Sequence, residues 1–280
     1  MKTNSNYQNN KSTLYLVSTP IGNLEDITLR AVNTLRSVDF IFCEDTRVSM
    51  KLLNHLEIKK KVYSYHEHNK DLQDDFIISL LENGKNIALI SDAGMPVISD
   101  PGFEIVTKTL EKDFNVVPLP GANAALTALI ASGIAPKPFT FFGFLDHKKN
   151  KKRQELESLI QYDHTLIFYE SIHRIEATLI AILEVLGDRY VVIGREITKR
   201  FEEFTFGYVS EIIENLPKQK GEMVVIVQKG EKKESDISVL DHVLEIIELG
   251  EKPIEAIKTV AKLRGLKKQI VYDAYHNKGE

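Results

Sequence analysis

The chain has little cysteine and no hydrophobic run of membrane length. Cys43 is the single cysteine among 280 residues, so no intrachain disulfide is possible, and we expect it to be a buried strand residue. No apolar run approaches the ~20 residues that a membrane-spanning helix needs. Residues 1–12 are polar and rich in asparagine, without the basic-then-apolar order of a signal peptide. The sequence predicts a cytoplasmic protein, with no membrane association, whose first twelve residues form a disordered tail.

The chain also lacks a net positive charge and the commonest nucleotide-binding motifs. Its net charge is −4 and its pI is near 6.1, which argues against a general nucleic-acid coat protein but allows RNA binding through local basic patches. No G-x-G-x-x-G follows the first predicted strand, and no P-loop is present. The eight histidines are scattered without metal-ligand spacing, so we predict no metal site.

Short apolar runs alternate with helical patterns through the first half of the chain. Strands are predicted at 14–18, 40–43, 62–65, 87–91 and 116–119, with helices between them. This alternation is typical of a mostly parallel sheet that helices cover on both faces. The second half has predicted strands at 139–142, 165–169, 190–194, 203–206 and 222–228, two of them close together around Gly207, which favours a mixed sheet.

Punctuation by proline, glycine and charge divides the chain into segments. A boundary is predicted at 118–121, a charged linker at 230–236, and helices broken at Gly250 and Gly265 across 239–275. We therefore expect an α/β protein with two α/β domains and a small helical C-terminal domain. The expected segments are the tail 1–12, the domains 13–120 and 121–230, and the helical domain 237–280.

Two loops that each follow a predicted strand and open a helix are candidates for ligand binding. In the loop 18–26, Pro20 fixes a bend and Gly22 permits close approach of the backbone. In the loop 118–125, Gly121 and Ala122 leave room for a flat ring or a thioether. An ordinary tight turn explains the first loop equally well, and close helix packing explains the second, so both interpretations stay open.

The loop 91–102 carries the strongest signal of a binding site. It contains two glycines, two prolines and two aspartates in twelve residues after a buried strand, which is more than a connector requires. Asp92 can accept hydrogen bonds from an ammonium or a ribose, and Gly94 allows close approach of a ligand. Ala93, Pro96 and Asp100 complete this candidate cradle.

Seven segments together resemble one known family. They are residues 14–28, 44–47, 91–102, 118–125, 168–174, 195–199 and 221–224. They resemble the ribosomal RNA small subunit methyltransferase I family of the tetrapyrrole-methylase superfamily. The resemblance implies two α/β domains with S-adenosylmethionine in the cleft between them, and a homodimer. It also implies 2′-O-methylation of a cytidine in the decoding region of small-subunit ribosomal RNA, with the assembled small subunit as the partner.

The resemblance also turns several polar residues into catalytic candidates. Glu44 or Asp45 could hold the ribose or act as the base, and Arg47 could bind an RNA phosphate. A capped helix start with a local ion pair would explain the same three residues. Glu170 could relay a proton or cap a helix, and Lys199 could bind phosphate or lower the pKa of the hydroxyl. The sequence leaves the base undecided.

The expected binding residues fall into two sets. The cofactor set is Pro20, Gly22, Asp92, Ala93, Gly94, Pro96, Asp100, Gly121, Ala122, Tyr169, Glu222 and Met223. The RNA set is Lys148, Lys149, Lys151, Lys152, Arg153, Arg174, Lys267 and Lys268. Because positive charge at a helix N-terminus opposes the helix dipole, the run 148–153 suggests a compensating anion such as RNA phosphate.

Two other functions compete with ribosomal RNA methylation. One is carbon methylation of a porphyrin or corrin precursor by an enzyme of the same fold. The other is a non-catalytic RNA-binding or ribosome-binding factor. The basic run and the basic C-terminal segment favour the RNA methyltransferase over the tetrapyrrole enzyme. The dense loop 91–102 argues against a factor that needs no cofactor.

Overall fold

The structure is a computed structural model that describes residues 9–216, 221–230 and 238–276. It contains two compact units, Met1–Lys229 and Gly230–Glu280. Most of the predicted tail, residues 1–8, and most of the predicted linker, 231–236, lie outside the described residues. Within these described ranges, the first unit contains two five-stranded sheets and the second contains three helices.

The first sheet is entirely parallel, as the alternating pattern predicts. Its strands are β1 (Thr13–Val17), β2 (Phe40–Cys43), β3 (Lys61–Ser64), β4 (Ile87–Ile90) and β5 (Asn115–Leu119). They lie in the order β3-β2-β4-β1-β5. The helices between them are α1 (Leu29–Ser37), α2 (Thr46–His55), α3 (Lys70–Glu82) and α4 (Phe103–Glu111). Apolar side chains pack on both faces, and Cys43 is buried as expected, where burial raises the pKa of its thiol to about 11.

The second sheet is mixed, which also agrees with the sequence. Its strands are β6 (Phe139–Phe144), β7 (Thr165–Ser171), β8 (Tyr190–Arg195), β9 (Glu203–Tyr208) and β10 (Glu222–Val227). The order is β6-β7-β10-β8-β9; β6 and β7 pair in parallel, and the other pairs are antiparallel. The accompanying helices are α5 (Ala124–Ala131), α6 (Lys149–Ser158), α7 (Ile175–Leu186) and α8 (Val209–Glu214). Residues of α6, α7 and α8 pack on one face, and residues of α5 pack on the other.

The first helical segment begins later than the sequence predicts. The helical periodicity of residues 27–36 predicts a helix that Asp26 caps, but Asp26 ends a short 3-10 helix, Leu24–Asp26. The α-helix begins at Leu29, and Thr28 Oγ1 accepts a hydrogen bond from the Ala31 N–H over 3.0 Å. Because threonine is a good N-cap, Thr28 starts the helix that Asp26 was expected to start.

The second unit has the helix breaks expected at its two glycines. Its helices are α9 (Val239–Glu248), α10 (Pro253–Arg264) and α11 (Lys268–His276), which bury Val243, Val260 and Val271 between them. Among the residues that the structure describes, no helix is long and apolar enough to span a bilayer.

Candidate active site

The three loops singled out by the sequence meet at one edge of the first sheet. Thr19 and Gly94 exchange backbone hydrogen bonds, with N···O distances of 2.9 and 3.1 Å. Ser18 Oγ donates to the Leu119 carbonyl over 2.9 Å, and a Cβ added at Gly121 would lie 2.5 Å from Ser18 Cβ. The loops meet because β4, β1 and β5 are parallel neighbours, so their carboxyl ends lie side by side.

Gly94 is held in a conformation and a space that suit only glycine. Its φ is +80°, a value that residues with a Cβ rarely adopt. An added Cβ would lie 3.2 Å from Ile21 Cγ2 and 3.5 Å from the Ala122 carbonyl oxygen. Gly94 therefore lets all three loops approach one another.

A cavity of about 410 Å³ opens between this edge and the second sheet. Of the predicted cofactor set, seven residues line it: Asp92, Ala93, Gly94, Asp100, Tyr169, Glu222 and Met223. The remaining five flank the lining or support its turns: Pro20, Gly22, Pro96, Gly121 and Ala122. Lys199 and Glu170, predicted to be catalytic, also belong to its wall.

Sequence reasoning missed most of the apolar wall of the cavity. That wall includes Ile21, Met95, Ile98, Phe144, Ile197 and Val224. Ile98 and Phe144 are more than half exposed, so their apolar surfaces are accessible to a ligand in the cavity. A single apolar side chain has no local signature of ligand contact, whether it lies in a loop, as Ile21 does, or in a strand, as Val224 does.

Carboxyl groups concentrate negative charge at one end of the cavity. Burial raises the pKa of Asp92, and a hydrogen bond from the Asp45 N–H opposes this rise. Desolvation and the negative charges of Asp100 and Asp92 raise the pKa of Glu44. A cation placed among these carboxyl groups would relieve their repulsion and favour their ionised forms. This end of the cavity therefore suits a positively charged group.

The turn after β2 combines a helix cap with an exposed cation. Asp45 Oδ1 accepts the Arg47 N–H over 2.8 Å, and Arg47 Nη2 lies 2.6 Å from Asp45 Oδ2. The hydrogen bonds from Arg47 lower the pKa of Asp45 to about 2. The capped, ion-paired start predicted as the alternative is thus present, yet the Arg47 side chain is 88% exposed and accessible to an anion. Both residues line an open depression that shares Asp92 with the cavity.

Lys199 lies where loops of the two sheets touch. Its Nζ is 2.9 Å from Glu196 Oε1 and 3.1 Å from Glu222 Oε2. Burial opposes the charge of Lys199, but these two hydrogen bonds outweigh burial and raise its pKa. A Cβ added at Gly22 would collide with Lys199 Cγ. Glu196 and Thr198 hold positive φ values of 50° and 69°, a strained conformation of the kind found at functional sites.

The Glu170 carboxylate does not point into the cavity. Side chains alternate along β7, so Glu170 lies on the side of Phe168, against α6 and α7, while Tyr169 lies on the opposite face. The Glu170 side chain is fully buried, and Thr178 Oγ1 donates to its Oε2 over 2.6 Å. Arg174 Nε lies 3.3 Å from its Oε1. The Glu170 carboxylate therefore contacts Thr178 and Arg174 of this chain, and it does not face a substrate in the cavity.

Lys152, one of the residues predicted to bind RNA, is buried, so its side chain cannot contact a phosphate at the surface. It is only 4% exposed, because Lys152 and Leu156 are four residues apart on the face of α6 that packs inward. The other basic side chains of the same run are exposed: Lys148, Lys149, Lys151 and Arg153.

The start of α6 has its own compensating charge. Asp146 Oδ1 accepts the Lys148 N–H over 2.7 Å, and Asp146 Oδ2 lies 3.7 Å from Lys151 Nζ. An external anion is therefore not required to balance the start of the helix.

In the second unit, Lys267 and Lys268 are exposed at the start of α11.

The described parts of the chain contain no cluster of three or more histidine, cysteine or acidic side chains that could hold a metal ion.

Known proteins that are similar to this chain in sequence identify its family. The family model for Tetrapyrrole (Corrin/Porphyrin) Methylases matches residues 13–213. Ribosomal RNA small subunit methyltransferase I of Bacillus subtilis is 51% identical over 275 residues, 95% of this chain and 94% of that protein. Its Haemophilus influenzae namesake is 46% identical over 267 residues, 92% and 94% of the two chains.

Two solved structures share the fold at low identity. Diphthine synthase matches with a TM-score of 0.64 and 14% identity, over 78% of this chain and 90% of that one. Uroporphyrin-III C-methyltransferase from Thermus thermophilus, complexed with S-adenosylhomocysteine, matches with a TM-score of 0.56 and 17% identity, over 78% and 97%. The fold and the high sequence identity agree: the chain belongs to the ribosomal RNA small subunit methyltransferase I family of the tetrapyrrole methylases.

Proposed function

We propose that this protein transfers a methyl group from S-adenosylmethionine to the ribose 2′-hydroxyl of a cytidine in the decoding region of small-subunit ribosomal RNA. The observation that carries the proposal is the 51% identity, over nearly the whole chain, to a methyltransferase named for that RNA. The cavity supports it independently, because its size and chemistry suit a small cationic ligand.

The residues of the cavity fit S-adenosylmethionine. Its volume of about 410 Å³ falls in the range of small-molecule sites. Asp92 and Asp100 provide negative charge for the ammonium and sulfonium groups, and the apolar wall provides a surface for the adenine ring. Gly94 keeps the backbone cradle free of a side chain. When bound, the cofactor supplies a methyl group that is already activated by the positive sulfur.

The remaining task of the protein is to orient a ribose oxygen and to help remove its proton. Glu44 borders the depression next to Asp92, and its raised pKa makes it a better proton acceptor than an ordinary carboxylate. Lys199 lines the cavity as a cation and would stabilise negative charge that develops on the oxygen. The exposed guanidinium of Arg47 would bind a neighbouring phosphate.

The proposed partner is the assembled small ribosomal subunit. RNA phosphates would be contacted by exposed basic side chains of both units. They are Lys148, Lys149, Lys151 and Arg153 of the first unit, and Lys267 and Lys268 of the second. Arg174 is only partly exposed and would contribute less. The proposal includes a cytoplasmic homodimer, with domains at 13–120, 121–230 and 237–280.

Methylation of a tetrapyrrole precursor is the second candidate, because structural neighbours of this fold include enzymes named for that reaction. It is not favoured, because the highly identical relatives are named for ribosomal RNA.

Labelled S-adenosylmethionine should be offered with three acceptors: small subunits from cells lacking the enzyme, naked ribosomal RNA and uroporphyrinogen. We expect label in the subunits; label in the tetrapyrrole alone would contradict the proposal.

A further inference from the structure

Lys152 is a buried lysine within a run of solvent-facing basic residues. It is 4% exposed, whereas the side chain of its neighbour Lys151 is 63% exposed. Burial, joined by the positive charge of Arg174, lowers the pKa of Lys152 against the opposing influence of Glu170 and Glu155. Burial of an ammonium is costly unless the group is well paired, so this arrangement calls for a specific partner.

The partner is reached through a short chain of hydrogen bonds. Lys152 Nζ donates to Thr178 Oγ1 over 2.7 Å, and the same hydroxyl donates to Glu170 Oε2 over 2.6 Å. An ammonium can only donate and an ionised carboxylate can only accept, so Thr178 is oriented in one direction between them. The chain joins α6, α7 and β7, and all three side chains are buried.

The other oxygen of Glu170 holds the turn between β7 and α7. Glu170 Oε1 accepts the Ser171 N–H over 2.9 Å and lies 3.3 Å from Arg174 Nε. Arg174 Nη2 in turn donates to the Leu145 carbonyl. On the opposite face of the same strand end, Tyr169 and Ser171 form part of the cavity wall. A fixed Glu170 therefore fixes the backbone that positions this wall.

We propose that Lys152 is a positioning residue for the cavity: acting through Thr178, its ammonium holds the Glu170 carboxylate and with it the strand end that carries Tyr169 and Ser171. The nature of the ligand in that cavity rests on the proposed function. The two adjacent lysines thus have different tasks. Lys151 faces RNA, and Lys152 supports the cofactor wall from behind.

The same substitution at these two neighbours tests the assignment. Lys152→Met in the full chain should weaken S-adenosylhomocysteine binding about tenfold, the equivalent of one lost hydrogen bond, as measured by calorimetry. Lys151→Met should leave that affinity unchanged and should instead weaken binding to small subunits in a salt-dependent manner. Wild-type affinity for S-adenosylhomocysteine in a folded Lys152→Met protein would overturn the proposal.

A second pair of variants separates positioning from simple loss of stability. Thr178→Val removes the hydroxyl at nearly constant volume, whereas Thr178→Ser retains it. We expect Thr178→Val to weaken S-adenosylhomocysteine binding about tenfold, at a temperature where unfolding measurements show it folded, and Thr178→Ser to bind as the wild type does. This pair carries the test if Lys152→Met does not fold. Equal affinities for the two Thr178 variants would overturn the proposal.

Hydrogen exchange gives a readout that needs no ligand. The amides of Ser171 and Arg174 should exchange faster in Thr178→Val than in Thr178→Ser, because only the latter keeps Glu170 in place. Unchanged exchange at both amides would overturn the positioning role, even if the protein is an RNA methyltransferase. Faster exchange, together with a wild-type protein that does not methylate subunits, would instead reject the proposed function alone.

Discussion

The backbone N–H of Asp45 donates a hydrogen bond to Asp92 Oδ1 over 3.1 Å. This bond ties the turn after β2 to the loop after β4, which are adjacent strands of the parallel sheet. Asp92 lines both the cavity, which we assign to the cofactor, and the depression that contains Glu44 and Arg47. One carboxylate therefore stands between the proposed methyl donor and the proposed acceptor.

Replacement of Asp92 by asparagine should weaken cofactor binding. The amide oxygen can still accept the Asp45 N–H, so the loss reports the missing negative charge. We expect S-adenosylmethionine affinity to fall about ten- to a hundredfold, the range for hydrogen bonds to charged groups. Calorimetry with Asp75→Asn as the control, an 85% exposed position on α3, should show no change. Equal affinities in the two variants would count against this placement of the cofactor.

Cofactor affinity should depend on pH through Asp92 of the cavity and through Glu44 of the adjoining depression. The pKa values of Glu44 and Asp92 are raised above their ordinary 4.5 and 3.8, and a cationic ligand favours the ionised forms. Affinity should therefore fall as the pH is lowered through these raised pKa values. Calorimetry across this acidic range should show a weaker pH dependence for Glu44→Gln than for the wild type. A pH-independent affinity in the wild type would contradict the prediction.

The raised pKa of Glu44 also predicts the pH dependence of stability. A carboxyl group with a higher pKa in the folded state binds more protons there, so its contribution to stability falls as pH rises from the unfolded to the folded pKa. Glu44→Gln removes this loss. The unfolding temperature of Glu44→Gln relative to the wild type should therefore increase as pH rises through that window. A constant difference between the two proteins would show that the Glu44 pKa is the same in both states.

Alanine substitutions at two glycines with similar φ values distinguish the effect of backbone strain from that of a side chain that blocks the cavity. Gly94 has φ +80° and Gly84 has φ +75°, so an alanine at either position should cost about 1 kcal/mol of stability. The space around them differs: no atom lies within 4 Å of a Cβ added at Gly84, whereas one at Gly94 meets Ile21 and Ala122. Only Gly94→Ala should weaken S-adenosylhomocysteine binding. Equal binding losses in both variants would place the effect in backbone strain alone.

The exposed lysines of α6 should contribute to the salt dependence of binding to small subunits. Each phosphate contact that is lost reduces the slope of log K against log salt by about one. Lys149→Ala should show this reduction, and Lys59→Ala, another exposed lysine located between α2 and β3, should not. Binding can be followed by filter retention of labelled subunits over a range of salt concentrations. Identical slopes for Lys149→Ala and the wild type would remove this lysine from the RNA-contacting surface.

The sequence revealed the three loops because their composition is local and their meeting follows from parallel strand order. The loop that carries Asp92 and Gly94 could be singled out from the sequence alone, since a strand, a loop and a helix succeed one another there. The inward direction of Lys152 could not be predicted, because α6 buries only Lys152 and Leu156 and so has almost no apolar stripe to set its phase. The direction of Glu170 depends on the register of β7, which is a tertiary property.

The chemical identity of the product is the sharpest test of whether the protein methylates the ribose of a cytidine in small-subunit ribosomal RNA. Small subunits from cells lacking the enzyme should be incubated with the protein and labelled S-adenosylmethionine, and their RNA digested to nucleosides for mass spectrometry. We expect a single labelled species in which the methyl group is on the ribose of cytidine. Label on a nucleobase, or none in the RNA with the wild-type protein while S-adenosylmethionine binds, would contradict it.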